Sequence, residues 1–469
     1  MRWWALFVLC LGSLMIVLDA TIVNVALPSI KASLGFSDSG LAWVVNAYLL
    51  TFGGFLLLGG RLGDLFGHRK LFIAGISLFT FASLMCGIAG SEVFLIAARA
   101  LQGFGGATAS AVALSLMMNL FTEPSERAKA MGYLGFVSSG GGSIGVLLGG
   151  ILTGSFDWHW IFLVNLPVGI AVVALAFVFL PKHKPLVDSH HIDVAGAITV
   201  TSSLMLAVYG IVGGNEAGWG SPKTLGFIGA AVVLFAIFIM IEKKARSPLM
   251  PLSLFRFRNV VVANIAGVLW AAAMFAWFFL SALYLQLVLH FTPLQIGLSF
   301  LPANLIMAAF SLGLSAKLVT RFGLKKPMIF GLAVAAGGLA LFARAPVDGH
   351  FLFDVLPAMI LLGVGAGIAF NPLLLAAMND VPPDESGLAS GIVNTSFMMG
   401  GALGLAILVS IAASRAASLI ASGTNEIAAL NSGYHAAFVV GALAALVAAG
   451  LGFFLHTSKS FSDHSVHAH

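Results

Sequence analysis

The sequence predicts an all-α integral membrane protein of fourteen transmembrane helices in a six, two and six arrangement, and three observations lead there. Hydrophobic residues make up 59% of the 469-residue chain and charged residues only 9%, where a soluble domain carries about 25% charged. Apolar runs of the ~20 residues needed to cross a bilayer recur along the whole chain. The organisation also repeats. The loop from Gly60 to Lys70 (Gly-Arg-Leu-Gly-Asp-Leu-Phe-Gly-His-Arg-Lys) aligns with Ala316 to Lys326 (Ala-Lys-Leu-Val-Thr-Arg-Phe-Gly-Leu-Lys-Lys). Pro124, Glu126, Gly132, Gly141, Gly142 and Gly145 correspond at one constant offset to Pro383, Glu385, Gly391, Gly400, Gly401 and Gly404.

Charged residues, glycines and prolines delimit the spans. The first six are expected near 4–27, 41–59, 71–90, 93–119, 129–154 and 159–180. The run after Met1-Arg2-Trp3-Trp4 is too long for a signal peptide and no small-residue cleavage site follows it, so it reads as a retained span. Spans near 194–214 and 224–241 have no counterpart in the repeat and read as an inserted hairpin. Six more follow near 259–285, 294–316, 327–344, 353–378, 387–412 and 434–456. The domains are therefore expected at 1–182, 183–250 and 251–458, with a cytoplasmic tail at 459–469. Of the 23 Lys and Arg residues, Arg99 lies within a span and Lys31, Lys223, Arg344 and Arg415 fall on one side of the membrane. The remaining eighteen fall on the other, which places both termini in the cytoplasm of a cytoplasmic-membrane protein. The net charge of +5 is thus topogenic and does not point to nucleic acid.

Asp19 is the carboxylate deep within the first span. Such a charge costs several kcal/mol at membrane depth, so it is expected to face a cavity, meet a cation, or carry protons or substrate. Asp19 lies ~22 Å up its helix at ~1.5 Å per residue, and Arg99 on span 4 lands at nearly the same depth. The two are expected to form an ion pair, directly or through water or substrate. Burial favours the protonated form of a carboxyl group and a nearby guanidinium favours the ionised form, so such a pair suits a proton switch. Arg99, Gln102, Gly103, Gly106 and Ser110 share one face of span 4. In span 5, Gly141, Gly145 and Gly149 recur every four residues and strip one helix face for close packing or sliding.

Cys10 and Cys86 read as apolar filler. Asn46, Asn165, Asn304, Asn371 and Asn394, with the span 9 aromatics Trp270, Phe275, Trp277, Phe278, Phe279 and Tyr284, are candidates for a substrate cavity or for packing and lipid contact. His190, His191 and Asp193, and the terminal His464, His467 and His469, read as solvated loop and tail, because neither set has a metal-ligand spacing. No glycine-rich phosphate loop ending in Lys-Ser or Lys-Thr is present, so ATP is not the expected energy source. In the loop after span 2, Gly60, Gly63 and Gly67 permit a tight turn, and Asp64 is able to cap a helix or pair with Arg61 or Arg69.

The stretch Leu18-Asp19-Ala20-Thr21-Ile22-Val23-Asn24-Val25-Ala26-Leu27-Pro28, the Gly60–Lys70 loop, Arg99-Ala100-Leu101-Gln102-Gly103 and the span 5 glycines together closely resemble the major facilitator superfamily, specifically its fourteen-span drug:proton antiporter branch. The resemblance implies a major facilitator fold of two pseudo-symmetric six-helix halves. It also implies that Asp19 takes part in proton or cation binding, that Arg99 assists coupling, and that Arg61, Asp64 and Arg69 form a cytoplasmic gate network. Two departures stand out. Thr320 occupies the position of the acid in the second repeat, and Val146 follows glycine where the antiporter motif usually has proline.

The function expected is proton-coupled export of small amphipathic or cationic compounds by a monomer in the bilayer, driven by the proton gradient without a cofactor. A uniporter or proton symporter of a specific metabolite is the alternative. A membrane receptor or enzyme would need a catalytic constellation or extramembrane domain that the sequence does not offer.

Overall fold

In the computed structural model, residues 2–37, 39–121, 123–181, 193–245, 248–310, 314–378, 381 and 386–456 are described, and within the helices some side chains, those of Arg61 and Asp64 among them, lie outside the description. The described residues are helical throughout, with no strand. In chain order the helices are α1 (Arg2–Leu34), α2 (Ala42–Phe66), α3 (His68–Gly87), α4 (Glu92–Leu120), α5 (Pro124–Ser155), α6 (Trp160–Leu163) and α7 (Asn165–Phe179). They continue as α8 (Val194–Ala217), α9 (Pro222–Lys244), α10 (Arg258–Leu283), α11 (Pro293–Ala309), α12 (Ser315–Phe322), α13 (Lys325–Phe342), α14 (Leu356–Met378), α15 (Ser386–Ala421) and α16 (Glu426–Leu451).

The helix boundaries follow local chemistry. Ser91 caps α4 by accepting from the Phe94 amide, and Ser221 caps α9 ahead of Pro222. Thr292 and Gln295 form a reciprocal capping box at α11. Between α2 and α3 the chain reverses at Gly67, whose φ of 92° is one that side chains rarely adopt. The aligned Gly323, with φ 75°, does the same between α12 and α13.

Twelve segments among the described residues are long and apolar enough to cross a membrane. Of the two other expected spans, the described residues give shorter apolar helices, Ile144–Ser155 within α5 for the one near 129–154 and Pro293–Ala309 for the one near 294–316. Residues 311–313, between α11 and α12, lie outside the description. The span expected at 159–180 is built of α6 and α7 in succession.

Packing repeats along the chain. Helix pairs α3/α4, α2/α4, α1/α5, α3/α7 and α1/α7 have counterparts in α13/α14, α11/α14, α10/α15, α13/α16 and α10/α16. Backbone approach repeats as well. A Cβ on Gly75 would lie 2.7 Å from the Ala109 nitrogen on α4, and one on the aligned Gly331 would lie 2.8 Å from the Ala369 nitrogen on α14. The two sets meet through α5 against α11 and α2 against α15, while α8 and α9 pack on each other and α8 rests on α2 and α15.

Candidate functional site: a buried carboxylate network

Asp19 sits midway along α1, fully buried, and three helices converge on it. Arg99 of α4 donates from Nη1 to Asp19 Oδ2 at 2.6 Å, while Gln102 of α4 and Asn165 of α7 both donate to Asp19 Oδ1, at 2.7 and 2.9 Å. Ser83 of α3 closes the cluster, its hydroxyl accepting from Gln102 at 2.8 Å and from Asn165 at 3.4 Å. Arg99 also donates from Nε to the Val44 carbonyl of α2 at 3.0 Å and from Nη1 to Gln102 Oε1 at 2.6 Å. Its guanidinium lies 4.4 Å over the Tyr48 ring and 5.6 Å from that of Phe162, an arrangement that stabilises a desolvated cation. Exposure is 1% for Arg99, 0% for Gln102 and Ser83 and 3% for Asn165.

The expected Asp19–Arg99 pair is therefore direct, because the two helices place them at one depth. Of the alternatives expected for Asp19, the structure shows the cation partner, and in this conformation the network is buried among α1, α2, α3, α4 and α7. Asn165, a candidate for the cavity or for packing, donates to the carboxylate. Sequence reasoning missed Ser83, Tyr48, Cys86, whose thiol lies 3.6 Å from Gln102 Oε1, and the Val44 carbonyl. Nothing in their local sequence separates them from other small or aromatic residues in spans.

Behind Asp19 lies the glycine face of α5. Cβ atoms on Gly141, Gly145 and Gly149 would come within 3.0 Å of Val17 Cγ1, 3.0 Å of the Leu18 carbonyl and 2.7 Å of the Ile22 carbonyl. These glycines thus set α5 against the turns of α1 that carry Asp19, as close-packing residues. The polar and small stripe of α4 divides its work: Gln102 joins the network, Gly103 admits the Tyr48 carbonyl, and Gly106 packs on Phe52 and Phe79.

The remaining candidates lie apart from the network. Asn46 is fully buried with neither amide atom hydrogen-bonded, and Asn304 Nδ2 and Trp277 Nε1 are likewise buried without partners. Trp277 packs 6.5 Å from Phe300, one turn before Asn304. Tyr284 is anchored elsewhere, donating to the Pro346 carbonyl at 2.8 Å. Arg69 donates to the Phe177 carbonyl near the end of α7 at 2.6 Å, and the side chains of its expected partners Arg61 and Asp64 lie outside the described residues, as do His190, His191, His464, His467 and His469. Asp193 caps α8, accepting from the Gly196 amide at 2.7 Å. Cys10 and Cys86 are free and buried.

The Major Facilitator Superfamily profile matches residues 9–405. The chain belongs to that superfamily. Over 467 residues it is 37% identical to the puromycin resistance protein pur8 of Streptomyces alboniger, covering 98% of this chain and 92% of the relative. The cephamycin export protein CmcT of Amycolatopsis lactamdurans is 36% identical over 87% of this chain and 85% of its own length, and the multidrug resistance protein Stp of Mycobacterium tuberculosis is 35% identical over 86% and 74%. Among solved structures, a D-xylose-proton symporter superposes with a TM-score of 0.67 at 14% identity, covering 98% of this chain and 99% of that one. At that identity the likeness speaks for the fold alone. This member of the superfamily is a multi-pass membrane transporter.

Proposed function

We propose that this superfamily member is a proton-coupled exporter of small amphipathic or cationic compounds, working by alternating access in the cytoplasmic membrane with both termini inside. In this reading α1–α7 (1–182) and α10–α16 (251–458) are the two rocking halves, α8 and α9 (183–250) are an inserted hairpin, 459–469 is a tail, and α5 and α11/α12 complete a set of fourteen spans. The observation that carries the proposal is a sealed Asp19–Arg99 pair in a chain whose extensive relatives are named for resistance to, or export of, puromycin, cephamycin, lincomycin and tetracenomycin C.

Removing one partner of a buried pair costs about 3–5 kcal/mol, because the other is left uncompensated. A proton entering down a membrane potential supplies ~2.3 kcal/mol per 100 mV. The cost exceeds that supply at 100 mV, so protonation of Asp19 requires Arg99 to gain a new environment in the same step. Rearrangement of α1 against α4 and α7 provides one, and this is the link between proton and conformation. Asn46, whose amide atoms both lack protein partners, and Asn304 and Trp277, whose Nδ2 and Nε1 lack them, are the groups best suited to meet substrate.

The test is gradient-driven transport in reconstituted vesicles with puromycin and a panel of lipophilic dyes. Wild type should move substrate against the direction of proton flow, and Asp19→Asn should insert normally but lose gradient-driven movement. Full coupled transport by Asp19→Asn would remove the carboxylate from the mechanism. Val146, where the antiporter motif has proline, favours uniport or symport as the second reading; there an acidic exterior would leave substrate movement unaffected or drive it inward.

A further inference from the structure

A groove of roughly 500 Å³ opens on the surface where α12 packs on α13 and α14. Leu314, Leu318 and Phe322 recur every four residues along one wall, and Phe330 and Ile368 line it from α13 and α14. Leu314 and Phe322 are each 46% exposed and Phe330 is 61% exposed, so these side chains are uncovered by protein. Lys326, exposed, is the charged residue in the lining.

The rim is positive for reasons independent of the apolar wall. The eighteen-residue α13 starts at Lys325 with no side chain capping it, and since Pro327 has no N–H, the uncapped first-turn amides at the positive end of its dipole are those of Lys325 and Lys326. Lys317 and Arg321, both exposed, sit one helical turn apart on the neighbouring face of α12. None of Lys317, Arg321 and Lys326 forms an ion pair among the described residues. The repeat explains why: Thr320 stands where the first half has Asp64, so this loop carries the cations of its motif without the acid. Phe330 likewise stands where the first half has Ala74, which gives the second half a deeper apolar wall.

We infer that this groove is a binding site for an anionic phospholipid. An acyl chain lies along Leu314, Leu318 and Phe322, and the headgroup phosphate meets Lys326 and the start of α13, with Arg321 and Lys317 beside it. From Leu314 to Phe322 the wall runs about 12 Å at ~1.5 Å per residue, close to one leaflet of a ~30 Å hydrocarbon core. On the topology proposed above it lies in the cytoplasmic leaflet, where basic juxtamembrane residues meet anionic lipid. Lipid recognition at this site does not require the antiport reading.

The test is intact-complex mass spectrometry of the purified full chain, titrated with phosphatidylglycerol and phosphatidylcholine of identical acyl chains. Wild type should retain one phosphatidylglycerol at least about fivefold more tightly than phosphatidylcholine, the preference expected from a single basic residue near the headgroup. Lys326→Glu should abolish the preference, Lys326→Arg should keep it, and inorganic phosphate should not compete, because the acyl chain is part of the fit. Should Lys326→Glu not be recovered as a monodisperse protein, the neutral Lys326→Gln carries the same comparison. Equal retention of the two lipids by wild type, as for unselective annular lipid, would overturn the site, as would an unchanged preference in Lys326→Glu or Lys326→Gln.

Discussion

Replacing Asp19 with asparagine removes one charge and almost no volume, which makes its cost a direct reading of the network. In the native protein Asp19 accepts three hydrogen bonds, from Arg99, Gln102 and Asn165. An asparagine keeps one acceptor oxygen and presents an NH₂ group to donors, so at least one donor faces another donor. Arg99, 1% exposed, cannot shed its proton to relieve the loss. Asp19→Asn should therefore cost about 3–5 kcal/mol of stability. Arg99→Gln leaves the carboxylate buried without its cation and should cost a similar amount. The double variant replaces an ion pair by two amides, and its cost should fall short of the sum of the singles by at least about 2 kcal/mol, as for residues that share one network. SDS-driven unfolding in bicelles measures all three. Additive losses would refute the claim that the two side chains act as one unit.

Other substitutions probe the surroundings. Gly149→Val places a branched side chain where a Cβ already approaches the Ile22 carbonyl to 2.7 Å; it should separate α5 from α1 and abolish vesicle transport, and a fully active variant would deny the tight contact. Tyr48→Phe removes a hydroxyl that has no partner and should leave stability within about 0.5 kcal/mol of wild type, whereas Tyr48→Ala also loses the ring over Arg99, worth up to about 2 kcal/mol when desolvated, so equal unfolding midpoints for the two variants would exclude the cation–π contribution. Asn46→Leu removes a buried amide that makes no hydrogen bond. It should raise stability by about 1–3 kcal/mol and slow transport by favouring this closed arrangement; a destabilised Asn46→Leu would mean that the amide has a role in the fold.

What the sequence disclosed depended on whether the signal was local. The helices follow from long apolar runs, and the ion pair followed from arithmetic on two charges in an apolar background, where a fixed rise per residue converts position into depth. The glycine face of α5 was legible for the same reason, since spacing alone defines it. Ser83 and Tyr48 were not legible, because their part in the network depends on which faces of α2 and α3 meet α4, and hydrophobicity carries little information about rotation when a helix is apolar all round. The part Asn165 plays was open on the same ground, since the sequence does not show which face of α7 meets Asp19. Tyr284, expected either to line a cavity or to pack, stands at the start of the short π-helical turn Tyr284–Val288 that follows α10, and its phenol donates to the Pro346 carbonyl.

The site gains mechanical meaning from what lies on either side of α5. On one side its glycines bear on Val17, Leu18 and Ile22 of α1; on the other, a Cβ on Gly150 would stand 2.7 Å from the Pro293 carbonyl of α11, and one on Gly297 would stand 2.9 Å from the Val146 carbonyl. Helix α5 is thus pressed close to both sets of helices at glycines, against Leu14, Val17, Thr21 and Ile22 of α1 and against Pro293 and Leu294 of α11. In the proposed alternating-access cycle, a displacement of α11 would reach the turns of α1 that hold Asp19 through α5. There the constraint has the opposite character: the carboxylate is held by three directional hydrogen bonds that a small shift weakens sharply, since hydrogen bonds lose strength steeply with misalignment. Close glycine contacts behind Asp19 and a brittle polar cluster around it are what the proposed switch between proton-bound and paired states requires.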